Sequence, residues 1–252
     1  MFPGWRIFFF HEPFPDLMAI NTRAFLRLVL FDIDGTLIST NGIARATFAD
    51  AAAEVFATET VARTHPFAGK TDPQIFNEVT AASGIPHDVA ERERERLFAR
   101  FFELLEQRIG ADDVKVHAGV RQLLDALSEI QSVTVGLLTG NMLRGARIKL
   151  GPVGLNDYFG FGAFGSDATF RYELPAIALE RAYTRTGYVF KDKEIVIIGD
   201  TPHDVECGRH LNVRSIAVAT GGASREELAA HAPDFLFDDL SDTDHVIEAI
   251  TQ

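Results

Sequence analysis

Six short, nearly continuous apolar runs punctuate the chain, at residues 28–31, 133–138, 161–164, 194–198, 215–219 and 235–237. Between them apolar residues recur every three or four positions, which predicts helices over 119–130, 143–150, 174–186, 204–211, 224–230 and 243–250. Strands apolar on both faces need cover on both sides, and alternation with amphipathic helices supplies it. The pattern therefore predicts an α/β fold: a Rossmann-like, doubly wound parallel sheet.

The alternation breaks between residues 43 and 114, where no strand pattern occurs. Helical periodicity fills the gap, over 44–58, 73–83 and 87–109. The third of these carries Glu91 to Arg96 as ERERER, with Val89, Leu97, Phe101, Leu104 and Leu105 on the opposite side. Opposite charges three apart on one side of a helix describe a solvated face rather than a binding stripe. The expected organisation is thus a core of residues 24–42 and 115–252 with an inserted helical cap of 43–114. Inserted directly after the first strand, such a cap sits over the sheet's C-terminal edge.

Residues 1–23 form an N-terminal extension in this reading. Its apolar stretch, Ile7 to Phe10, is too short for a membrane span and short for a signal peptide core, and His11, Glu12 and two prolines follow. Met18 offers an alternative start, because the periodic pattern begins only near Phe25. No run in the chain is long enough for a transmembrane helix, so no membrane role is expected.

Composition narrows the function classes. A net charge of −12 over 252 residues argues against a nucleic-acid surface, which is basic. The single cysteine, Cys207, excludes an intrachain disulfide and fits a reducing, cytoplasmic setting. The expected state is a monomer or homodimer.

Candidate chemistry sits at the ends of three apolar runs. The first ends in Asp32-Ile33-Asp34-Gly35-Thr36, the second in Thr139-Gly140-Asn141 and the fourth in Asp200-Thr201-Pro202-His203-Asp204. In an open parallel sheet ligands bind beyond the carboxyl ends of the strands, so these residues converge on one crevice. Two aspartates at i and i+2 of an extended segment share a face, and two like charges so placed require a cation or a proton. Hard carboxylate oxygens with no Cys/His cluster favour Mg²⁺. The Thr139 hydroxyl and nearby backbone N–H groups suit the oxygens of a tetrahedral anion.

Taken together, DIDGT, LLTG and IIGDTPHD resemble the haloacid dehalogenase superfamily, and within it the phosphoglycolate phosphatase-like members with a helical cap after the first motif. The resemblance spans about residues 27–240. It implies that Asp32 is a nucleophile forming an aspartyl-phosphate and that Asp34 protonates the leaving oxygen and later activates water. It implies that Thr139 binds the transferring phosphoryl group, and that Mg²⁺ is held by Asp32, the Asp34 carbonyl and Asp200, with Asp204 in support. Dehalogenating members have no need of an acid at the second position, so Asp34 points to phosphoryl chemistry.

The family's cationic motif is a lysine near a helix start. Here Arg171 occupies that place, a departure from the pattern; Lys149, in the helix after the second motif, is the alternative cation. Thr36, Lys70, Gly140 and Asn141 are candidate substrate contacts, with Arg144 a further one, and Lys70 sits in an exposed Gly-Lys-Thr-Asp loop ahead of a helix. His65, His117 and His203 read as loop residues, Cys207 as packing, and Gly221-Gly222 as a tight turn.

The resulting expectation is a Mg²⁺-dependent phosphatase acting on a small, phosphoglycolate-like phosphomonoester. Its rivals are a phosphomutase of the β-phosphoglucomutase type, a phosphonatase using Lys70 as an imine-forming lysine, and a non-catalytic binding module on the same scaffold.

Overall fold

The computed structural model describes residues 26–252. The expectation of an N-terminal extension over residues 1–23 lies outside them. Strands β1 (Arg27–Phe31), β4 (Val133–Leu138), β5 (Gly162–Ala163), β6 (Ile195–Gly199), β7 (Arg214–Val218) and β8 (Phe235–Phe237) form one sheet in the order β5-β4-β1-β6-β7-β8. Every pairing in it is parallel. The fold is the α/β class that alternating apolar runs and amphipathic helices predict.

Burial explains why these runs are strands. Leu28 to Phe31 are fully buried, with Val29 and Phe31 in the larger apolar cluster and Leu28 and Leu30 in the one on the opposite face. That arrangement follows from the period-two alternation of side chains along a strand. Helices α4 (Val120–Ser128), α5 (Leu143–Leu150) and α9 (Thr243–Thr251) bury residues in the first cluster; α6 (Leu174–Thr186) and Cys207 of α7 (Pro202–His210) belong to the second. Helix α8 (Arg225–Ala230) buries Leu228 in a third, small cluster.

Chain order crosses over at β1. The strand lies between β4 and β6, and the chain builds outward from it on one side to β5 and on the other to β8. The crevice at such a reversal is where a parallel sheet binds its ligands.

Helices α1 (Ile43–Phe56), α2 (Asp72–Ala82) and α3 (His87–Arg108) fill the interval between β1 and the rest of the core. Phe48, Phe76, Phe98, Phe101 and Phe102 pack as a chain of tilted, edge-on and stacked rings that holds the three helices together. The charged run on α3 pairs along its own surface, Arg94 with Glu91 and Arg96 with Glu93. The Arg94 guanidinium also lies over the ring of Phe76, 4.7 Å from its centre, a cation–π contact that the charge pattern alone does not reveal.

Two elements differ from the sequence expectation. A two-stranded antiparallel pair, β2 (Ile38–Ser39) with β3 (Lys115–Val116), joins the two ends of the helical insert, and two-residue strands leave no readable period. Helix α7 begins at Pro202 rather than at residue 204. Proline fits the first helical position, and Thr201 caps the helix by donating its N–H to Asp204 Oδ2 over 3.0 Å.

Candidate active site

The carboxyl ends of β1, β4 and β6 bring the three polar segments together. Asp32 follows β1, Thr139 follows β4 and Asp200 follows β6, and all three line one cleft of about 380 Å³. Gly140, Asn141, Lys149 and Arg171 line it from the core, and Arg45, Phe67, Lys70 and Ile75 from the helical insert.

One carboxylate oxygen from each of Asp32, Asp200 and Asp204 lies within 4.8 Å of the others, and all three residues are buried. Burial pushes the Asp32 carboxyl up to about 6, against the opposing pull of Arg171 and with Asp204 and Asp34 adding to the rise. Asp200 is raised well above the carboxylate range, first by burial and then by Asp32 and Asp204. Three buried acids so arranged call for a cation. The cluster fits a hard divalent ion such as Mg²⁺, since every donor is an oxygen.

Arg171 supplies part of the countercharge. Its Nη2 stands 3.2 Å from Asp32 Oδ1 and also donates to Asp204 Oδ1 and to the Leu138 carbonyl. Its Nε is buried without a partner among the described residues. Asp204 has both oxygens engaged, Oδ1 by Arg171 and Oδ2 by the backbone and hydroxyl of Thr201. It therefore orients its neighbours, and Asp32 and Asp200 are freer to face an ion.

Asp34 is held apart from this cluster. Lys149, buried on α5, donates to both of its oxygens over 2.9 and 2.7 Å and to Asn141 Oδ1 over 2.6 Å. Asn141 Nδ2 reaches Asp34 Oδ2 at 2.7 Å and the Thr139 hydroxyl at 2.9 Å. Lys149 thus serves Asp34, while the cation beside Asp32 is Arg171.

Several candidates stand elsewhere than the sequence suggests. Thr36 is fully buried and donates its hydroxyl to Asp200 Oδ1 over 3.0 Å, so it supports that carboxylate instead of facing the cleft. Lys70 reaches the cleft wall, yet its ammonium pairs with Glu78. Burial works against that carboxylate, but hydrogen bonds from Lys70, Gln74 and His65 outweigh it and hold Glu78 at about 2. Arg144 pairs with Glu106. His65 and His117 lie in loops as read, whereas His203 sits in the first turn of α7, and none of the three lines the cleft. Gly221 is not a turn residue with positive φ; a Cβ there would strike the Asp200 carboxylate, so close approach requires the glycine.

One contributor enters the sequence reading only as the last residue of the Gly-Lys-Thr-Asp loop, with no role of its own. Asp72, in the first turn of α2, crosses to the core: its N–H donates to the Gly140 carbonyl over 2.8 Å, and its Oδ2 accepts from Met142 N–H at 2.7 Å. Burial raises this carboxyl to about 6, with Lys149 opposing the rise. Beside it the Thr71 hydroxyl donates to the Thr169 carbonyl. The one sequence signal was an acid just ahead of a helix-starting proline, which reads equally well as a simple cap.

Among the described residues no helix is long and apolar enough to cross a membrane. A family model for haloacid dehalogenase-like hydrolases matches residues 29–218. The chain is 28% identical over 219 residues to the pyrophosphatase PpaX of Listeria innocua, covering 85% of this chain and 93% of that protein. It is 26% identical over 156 residues to the phosphoglycolate phosphatase of Synechococcus elongatus, covering 61% and 69%. In fold it is similar to the crystal structure of a predicted phosphatase from Clostridium acetobutylicum, with a TM-score of 0.67 at 18% identity over 88% of this chain and 99% of that one.

Proposed function

The chain belongs to the haloacid dehalogenase-like hydrolases, and from that premise we propose that it is a Mg²⁺-dependent phosphatase of small phosphomonoesters that works through an aspartyl-phosphate on Asp32. The observation that carries the reading is the separation of two carboxylates two residues apart: Asp32 beside Arg171 and the acidic cluster, Asp34 beside Lys149. Different surroundings for paired carboxylates are how one site runs nucleophilic and acid–base chemistry together.

In the first half-reaction a carboxylate oxygen of Asp32 attacks phosphorus, the ester P–O bond breaks, and Asp34 gives a proton to the leaving oxygen. In the second half a water attacks the phosphorus of the acyl phosphate while Asp34 takes its proton, releasing phosphate and restoring Asp32. An alkoxide leaves poorly unless protonated, so the acid contributes on the order of 10² to 10⁴-fold. Arg171 offsets charge at the nucleophile, and Thr139 with the backbone N–H groups after β4 would receive the phosphoryl oxygens. Asp32 and Asp200, with the Asp34 carbonyl, would hold Mg²⁺, which when bound neutralises charge on the phosphoryl group and the nucleophile.

The cleft volume of about 380 Å³ suits a small metabolite. Phosphoglycolate leads the substrate candidates and pyrophosphate stands beside it, because these are the substrates for which the curated relatives are named. Residues 43–114 act in this reading as a cap over the cleft. The test is Asp32→Asn assayed with Mg²⁺ on a panel that includes both compounds and a hexose 1-phosphate. Phosphate release should vanish with the circular dichroism unchanged. Retained turnover, or conversion of the hexose phosphate to its isomer by the unmodified protein, would sink the assignment.

A further inference from the structure

We propose that Lys149 is a positioning residue for Asp34, fixing the plane and place of that carboxylate relative to the phosphoryl site. The inference rests on the reading of Asp34 as the group that exchanges a proton with the leaving oxygen. The lysine side chain is only 7% exposed, whereas Asp34 is 42% exposed and open to the cleft. A buried ammonium is costly to desolvate unless its donors are used. Here its hydrogen bonds among the described residues go to two groups, Asp34 and Asn141.

The geometry fixes more than a distance. Lys149 touches both Asp34 oxygens, and Asn141 touches one of them from a second direction. Two donors on different elements determine the rotation of a carboxylate, which a single contact leaves free. Asn141 also donates to the Thr139 hydroxyl, so the same amide ties Asp34 to the expected phosphoryl-binding residue. Proton transfer demands heavy atoms within hydrogen-bond reach in a defined direction, and freezing that direction is what this network accomplishes.

Arg171 has no part in this network. Among the described residues its guanidinium meets Asp32, Asp204 and the Leu138 carbonyl, not Asp34. The two cations therefore divide the aspartate pair, one for the nucleophile and one for the proton carrier.

The test compares Lys149→Met and Lys149→Arg on p-nitrophenyl phosphate and on an alkyl phosphate, with Mg²⁺ present. Protonation matters most for the basic alkoxide, so kcat/KM for Lys149→Met should fall about 10-fold or more further on the alkyl ester. The loss should lie in kcat rather than KM, and Lys149→Arg should recover part of it. Equal losses on both esters, or a loss confined to KM, would overturn the role. A crystal structure of Lys149→Met provides a readout apart from turnover: the Asp34 carboxylate should rotate away from Asn141 or become disordered, and an unmoved Asp34 refutes the proposal. If the unmodified protein hydrolyses neither ester, the phosphatase reading fails, while the structure of the variant still decides the positioning role.

Discussion

Arg171 Nη2 and Asp32 Oδ1 face each other across 3.2 Å with both side chains almost entirely buried, and the same nitrogen holds Asp204. One guanidinium thereby binds the residue after β1 to a residue in the first turn of α7. Both contacts come from one nitrogen of a planar group, so a lysine ammonium could repeat part of them but not the fixed direction of the guanidinium.

Arg171→Met should therefore be far more damaging than Arg171→Lys. Stripping the cation from buried acids costs about 3 to 5 kcal/mol. Thermal denaturation without metal should show a large drop for Met and a smaller one for Lys, with turnover detectable only for Lys. A Met variant as stable as the unmodified protein would remove Arg171 from its assigned role.

Metal should stabilise the fold, and more so as pH rises. Burial lifts Asp32 from 3.8 to about 6, so the folded form binds its proton more tightly than the unfolded chain. Its contribution to stability is full below pH 3.8 and is lost as pH climbs through about 6. Mg²⁺ competes with that proton. The difference in melting temperature between Mg²⁺-loaded and chelated protein should grow across this interval, and a pH-independent difference would contradict it. Taking the difference cancels the carboxylates outside the acidic cluster, several of which are shifted the opposite way, whereas Asp200, raised like Asp32, adds to the trend.

Asp72→Ala should loosen the contact between α2 and the core without unfolding either. The substitution leaves the partly buried Met142 N–H unpaired, at a cost toward the low end of about 1 to 3 kcal/mol. Asp72→Asn retains an acceptor and sheds a buried charge, so it should be milder, above all near neutral pH where the raised carboxyl is ionised. Hydrogen exchange at the Met142 amide measures this directly: fast in Ala, close to the unmodified rate in Asn.

Gly140→Ala should separate the same two segments by force. A Cβ there would run into the Lys70 carbonyl, which is backbone and cannot swing aside. Turnover should fall far more than the melting temperature, because the clash displaces a loop at the cleft rather than the core. Equal loss of both would indicate a general packing defect.

The sheet was legible in the sequence because β1 and β6 are buried on both faces and read as unbroken apolar runs. The convergence of Asp32, Thr139 and Asp200 followed from strand ends in a parallel sheet. Lys149 and Asp34 were not legible as a pair: 115 positions separate them, and their meeting depends on the rotation of α5 about its axis. Asp72 and Met142, 70 positions apart, escaped for the same reason. Thr36 misled because a hydroxyl after an acidic motif looks available to a ligand, and only the turn at Gly35 shows it folded back onto Asp200.

The stitching of Asp72 to Gly140 and Met142 has a thermodynamic corollary. The loop that would receive the phosphoryl oxygens is also the loop the helical insert clasps, so occupancy and closure are linked quantities. By reciprocity, any anion that settles this loop must tighten the clasp by the same factor as the clasp tightens the anion. Two hydrogen bonds of about 1 kcal/mol each, net, with the Thr71 bond to Thr169 beside them, make this fastening one of a few kcal/mol. Product departure and loss of the anion cradle would then be a single event, and its frequency would cap the catalytic rate.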